Sequence, residues 1–187
     1  MTADELLERY AAGERDFTGV SIRNACFIQA DLREINLSGS ELNRVQMIAA
    51  NLDGANLSGA ILDSGDFTSA TLRRSNFHKA IFGGARLIGA NCLEANFSET
   101  QMYRASLEGA NFTRATLVDA DLGTTSIWGA CFMNADMRRV NLDEARGSAN
   151  FTGSNLTEAI IPEIETRLNG SIFTNAILPN DISHYIP

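Results

Sequence analysis

The sequence predicts an all-β solenoid, a rod of right-angled coils, and three observations in one register predict it. The first is an apolar comb. Stepping by five from Phe17 to Leu142, all 26 positions are apolar and 20 of them are Leu or Phe. The second lies two residues before each comb position, where Ala fills 16 of the 26 places, Ala25, Ala30, Ala50, Ala55 and Ala60 among them. The third lies one residue before, where Asn or Asp fills 13 of the 26. The unit is Ala-(Asn/Asp)-(Leu/Phe)-x-x, clearest over Ala50–Ala60 and Ala90–Phe97.

Period five is neither the 3.6 of a helix nor the 2.0 of a strand. A helix stepped by five turns about 140° each time and would scatter the apolar residues around its whole circumference. A continuous strand would send alternate comb members to opposite faces. Each five-residue unit is instead one short side of a coil, and four sides close a turn whose comb residues all point to the axis. A fixed period of this kind marks a solenoid, in which each repeat buries its face against its neighbours. One side then carries Phe17, Leu37, Leu57, Phe77, Phe97, Leu117 and Met137, and another Leu32, Leu52, Leu72, Cys92, Phe112 and Phe132. Phe77 over Phe97 and Phe112 over Phe132 are expected to stack in a narrow core, with Leu107 a core centre of a third side. Ala points inward too and is small for lack of room. Val20, Ile35, Val45 and Val140 depart from it on bulk, and Gly65, Ser75, Thr100 and Thr125 on size or polarity. Arg15 cannot be buried in this way, so the first coil begins after it.

These residues resemble the pentapeptide repeat family, whose motif is A(D/N)LXX. The resemblance covers about residues 15–160 and a fragment at Ser171–Leu178. It implies a right-handed quadrilateral β-helix. The comb itself supplies about 6.5 turns, roughly 30 Å of rod at the ~4.8 Å spacing of paired strands.

Both ends depart from the repeat. Thr2-Ala3-Asp4-Glu5 has capping-box spacing and Leu6, Leu7 and Tyr10 share a helical face, so residues 1–14 are read as a helix closed by Gly13 that caps the first coil. Such a cap protects an exposed apolar end and its strand edges; docking of a partner on this helix is the alternative. The β-helix proper is assigned to 15–161. Its register slips once after Leu142, because Phe151 follows by nine residues rather than ten, one residue being lost around Arg146-Gly147-Ser148. Residues 162–170 read as a short helix from Pro162 to Gly170, and 171–187 as a final partial coil and tail. This end is read as a cap bulging from the last turn, with a dimerisation or recognition element as the alternative.

No catalytic constellation is present. His78 and His184, the two histidines, are separated by more than five coils, which excludes a shared metal or catalytic site. Gly83-Gly84-Ala85 belongs to the comb and lacks the Lys-Ser/Thr of a phosphate loop. Asp119 and Asp121 read as solvated surface carboxylates. Asn36, Asn56, Asn76 and Asn96 recur every 20 residues and are expected to form a structural amide ladder. The chain is therefore read as a non-enzyme with no cofactor and no metal. Cys26, Cys92 and Cys131 have no partner within reach, and no segment reads as a signal peptide or membrane span, which suits a reducing cytoplasm and no membrane.

Charge separates the functional readings. Some pentapeptide repeat proteins confer quinolone resistance by mimicking B-DNA in the DNA groove of gyrase, and the net charge of −8 invites that comparison. Yet residues 1–20 carry two basic and five acidic groups, residues 141–187 two and six, and the rod between them 11 and 12, a net of only −1. A DNA mimic needs its negative potential along the rod. The cluster Arg73, Arg74, Lys79 and Arg86 is too small to argue for nucleic acid. The residues after the comb on one side read Ile28, Ile48, Thr68, Ile88, Glu108 and Trp128, a broken apolar stripe that Leu93, Met133 and Tyr103 are expected to widen. Strand surface alone accounts for such residues in one reading; a partner interface anchored by Trp128 is the other. The expected function is a rigid scaffold for another protein, similar to the bacterial pentapeptide proteins of undefined role, with gyrase inhibition as the alternative and a homodimer through the C-terminal end or the stripe as a further option.

Overall fold

The computed structural model describes residues 1–161 and 167–179. The residue before each comb centre makes one parallel bridge to its equivalent in the next coil, as Asp16 does with Asn36 and Asn36 with Asn56. The centre's N–H donates forward (Phe17 to the Asn36 carbonyl, 2.8 Å) and the bridge residue's N–H donates back (Asn36 to the Arg15 carbonyl, 2.7 Å). The two x residues make the corner, closed by an N–H from the Ala position to the centre's carbonyl, as Ala55 to Leu52 at 3.0 Å. The second x residue lies in the left-handed region whatever its side chain: φ is 56° at Asn24, 57° at Arg44 and 70° at Gly54. That is the type II signature. Each non-glycine there costs about 1 kcal/mol, so the bonded corners must outweigh a penalty repeated along the rod.

Inside, Leu107 and the stacked aromatics are wholly buried. Phe77 and Phe97 stack at 4.8 Å and Phe112 and Phe132 at 5.2 Å. The second column runs on through Phe151 and Phe173, at 5.2 and 4.9 Å, straight across the slip in register. Most hydroxyls at Ala positions spend their proton on the preceding corner, and Ser40 donates instead to the Phe17 carbonyl one coil back. Thr100 Oγ1 donates to the Phe97 carbonyl and Thr125 Oγ1 to that of Leu122, so neither is an orphan in the core. Gly65 replaces Ala because a Cβ would stand 2.9 Å from the Phe67 ring.

Helix α1, Ala3–Ala11, opens with the Thr2–Glu5 capping box and buries Leu6 against the first coil. Tyr10 donates its hydroxyl proton to the Arg33 carbonyl, 2.9 Å away. Arg15 stays exposed with its guanidinium over the Tyr10 ring, and bridging begins at Asp16. At the other end the coil shortens from 20 residues to 19 between Ser126↔Arg146 and Cys131↔Asn150, then lengthens to 22 at Asn150↔Ile172. Eight successive bridges join Asp16 to Ile177, so the rod exceeds the 6.5 turns of the comb and reaches roughly 38 Å. Leu168, buried, is the centre that restarts the count, with Phe173 and Leu178 at further steps of five. The expected helix at 162–170 falls largely on 162–166, outside the described residues, as does His184.

Candidate functional site

Corners and faces alternate around the coil, so a residue's side decides its neighbours. The corner after the Phe27 side carries Ile28, Ile48, Thr68, Ile88, Glu108 and Trp128, followed by Gln29, Ala49, Ser69, Gly89, Gly109 and Gly129. Ile28 is 44% and Trp128 56% exposed, while Ile48, Ile88 and Glu108 are half-buried. The next face presents Asn91, Asn111 and Cys131, and the corner beyond it Leu93, Thr113 and Met133. Leu93 and Met133 thus border the same face as Ile88 and Trp128. Tyr103 does not: it sits on the preceding corner, one face away on the other hand, and leans across Gly83, where a Cβ would stand 2.5 Å from its hydroxyl. Its proximity in sequence to the stripe hides the five-residue step that moves it to another corner.

Within this patch several polar atoms are held by the corners. The Asn91 and Asn111 carbonyl oxygens accept the N–H groups of Leu93 (3.3 Å) and Thr113 (3.0 Å), and Thr113 Oγ1 lies 3.4 Å from Cys131 Sγ. The residues 88–93, 108–113 and 128–133 that build it hold one charged side chain, Glu108. Glu108 accepts a hydrogen bond from Ser126 at 2.7 Å, on the opposite side of its corner from Asn111. What remains exposed is glycine and the uncharged, half-buried Asn91, Asn111 and Cys131 between two margins that carry Ile88, Trp128, Leu93 and Met133.

Elsewhere charges are matched between neighbouring coils. The basic cluster disperses over three sides, and each member meets an acid: Arg73 with Asp53 at 3.8 Å, Arg74 with Glu94 at 3.0 Å, Lys79 with Glu99 at 3.4 Å and Arg86 with Asp66 at 3.6 Å. Asp119 takes a bidentate pair from Arg139, both contacts 2.6 Å, which holds its carboxyl below the usual carboxylate range. Exposed pairs of this kind add little stability; their effect is to flatten the potential of the rod. On the Phe17 side, Asn36, Asn56, Asn76 and Asn96 form the ladder, each amide donating to the one below at 3.1–3.3 Å, and Asn36 ending it on Asp16.

Among the described residues no group of His, Cys, Asp and Glu is placed to hold a metal ion, and no helix is long and apolar enough to cross a membrane. Cys92 is sealed in the core, where burial pushes its thiol far up. Cys26 and Cys131 are free.

The family model for pentapeptide repeats matches in eight copies, over stretches that include 16–52, 40–78, 50–89, 80–119 and 90–129. The fold is similar to that of QnrB1 in a trypsin-treated form, a plasmid-mediated fluoroquinolone resistance protein. That likeness has 27% identity and a TM-score of 0.69 over 90% of this chain and 87% of that one. It is also similar to HetL, a pentapeptide repeat protein involved in heterocyst differentiation regulation from the cyanobacterium Nostoc sp. strain PCC 7120. Here the identity is 27% and the TM-score 0.51, over 96% of this chain and 94% of that one. No curated protein sequence matches the chain. The bridges, corners and inward comb are those of a right-handed quadrilateral β-helix, and the chain belongs to the pentapeptide repeat family.

Proposed function

We propose that the chain is a non-catalytic cytoplasmic rod that docks a protein partner on the patch bounded by Ile88 and Trp128 on one corner and Leu93 and Met133 on the next. One observation carries the reading: one face and its two corners, over three successive coils, hold a single charged residue, on a rod whose other charges are largely paired. A flat, rigid, desolvatable surface with a large aromatic at its margin is what a protein interface uses as its anchor. Ile28 and Ile48 extend the apolar corner towards the capped end. The acidic ends, −3 over residues 1–20 and −4 over 141–187, would repel one another in an antiparallel pair of rods, which favours a different protein over a second copy on this patch. The test is co-purification with wild type, Trp128→Ser and Asp119→Ala as baits, the last altering an exposed site on another corner. A partner held by wild type and Asp119→Ala and lost by Trp128→Ser supports the reading; identical retention by all three contradicts it.

The similarity to a fluoroquinolone resistance protein favours a second reading, inhibition of gyrase by DNA mimicry. The coil-to-coil ion pairs weigh against it, because a phosphate-binding groove would meet a near-neutral rod. A supercoiling assay decides: inhibition by micromolar protein reverses the ranking.

A further inference from the structure

Resting on that docking reading, we infer that the one-residue slip in register is a seat for Trp128, and that Gly147 is the positioning residue that makes it. The comb step after Leu142 falls on Gly147, where the preceding coils of the same side place Leu107 and Ile127. The unit Arg146-Gly147-Ser148-Ala149 keeps its bridge residue and its inward Ala149 but drops one corner residue. The chain consequently cuts inside the usual corner and passes tight against the residue below. Gly147 is buried at φ 122°, and a Cβ on it would stand 2.7 Å from Trp128 N, 2.9 Å from Cγ and 3.0 Å from Cα. No side chain fits there. The contact is also pinned from both directions: the Gly147 N–H donates to the Arg167 carbonyl at 2.9 Å and the Gly129 N–H to that of Ser148 at 2.7 Å.

The slip leaves its own side without an inward apolar centre at Gly147, while the neighbouring Phe132–Phe151–Phe173 column crosses it unbroken. It also changes the surface. Local bulges in sheets re-aim a side chain, and glycine is the residue that permits one backbone to approach another side chain closely. Here the root of the indole is held by Gly147 while over half of the residue stays in solvent. An anchor already fixed in one orientation loses less rotamer freedom when a partner docks.

Trp128 is the only tryptophan, so its fluorescence anisotropy decay reads the seat in the isolated protein, without a partner. The comparison is with Ile88→Trp in a Trp128→Phe background, which moves the indole to the same corner of a complete coil and leaves Gly147 intact. The share of anisotropy lost to local sub-nanosecond motion should roughly double at position 88. A second variant inserts one Ser after Ser148, restoring a 20-residue coil, and should free the Trp128 indole to a similar extent while circular dichroism is unchanged. Equal local motion at 88 and 128, or an indole as restricted in the folded insertion variant as in wild type, overturns the proposal. Because these readouts need no ligand, they stand or fall separately from the docking reading, which the co-purification tests.

Discussion

The Asn ladder of the Phe17 side and the patch between Ile88 and Met133 are built on the same backbone, yet they do opposite things with it. Both have the parallel bridge, the buried centre and the left-handed corner. In the ladder each outward amide serves the coils below and above and the corner N–H two residues on: Asn56 Oδ1 accepts both Asn76 and Ser58 N–H groups. In the patch, glycine, isoleucine and tryptophan leave outward positions with nothing to bond. The comparison teaches that the inward residues of this rod are dictated by period, whereas the outward ones are free to stabilise or to bind.

The sharpest way to break the comparison is to break what the two regions share. Leu107→Asp puts an unpaired charge in the core beneath the patch. Stability in a solenoid is summed over neighbouring coils, so the loss should be several kcal/mol and the rod should divide there. Denaturant unfolding checks this, and a cooperative transition matching wild type would refute the inward comb. Next comes Asn56→Ala, which leaves Asn36 Oδ1, Asn76 Nδ2 and the Ser58 N–H each short of a partner. It should cost about 1–2 kcal/mol, seen as a lower denaturation midpoint. A cost near zero would mean that water replaces the ladder.

The inward half of the fold was legible because burial enforces it: a comb of Leu and Phe admits one assignment of sides. The corners were not legible. Asn24, Arg44 and Glu99 share a left-handed φ of 56–57° with no residue type in common, since the constraint comes from closing the right angle. Leu168 was read as part of the short helix at 162–170, yet it is a buried centre that closes a corner with Ser171, and 168, 173 and 178 keep the step of five. Of the candidate surface, Ile88, Trp128, Leu93 and Met133 follow from counting sides, while Tyr103 was assigned by proximity along the chain and belongs to another corner. The hold of Gly147 on Trp128 depends on a deletion whose path no periodic pattern specifies.

Smaller effects concern the exposed charges. The carboxyls of Glu94 (held mainly by Arg74), Asp119 (by Arg139) and Asp136 (by Arg138) lie below their ordinary values when folded. A depressed folded pKa adds stability that is present above the unfolded value and is lost as pH falls through the folded one. A modest decline in melting temperature is therefore expected below about pH 4. In Arg139→Ala the part due to Asp119 should vanish, shown by a shallower melting temperature against pH in acid. At neutral pH, Asp119→Ala should leave the melting temperature close to that of wild type, because the pair is solvated.

The most direct measurement is Trp128 emission in the isolated protein over a range of concentrations. If the patch is a free surface awaiting a different protein, emission is red-shifted, quenched by iodide to the same extent at every concentration, and unchanged on dilution. Emission that is blue-shifted when concentrated and moves red on dilution would show the rods covering this patch for one another, and would contradict the account.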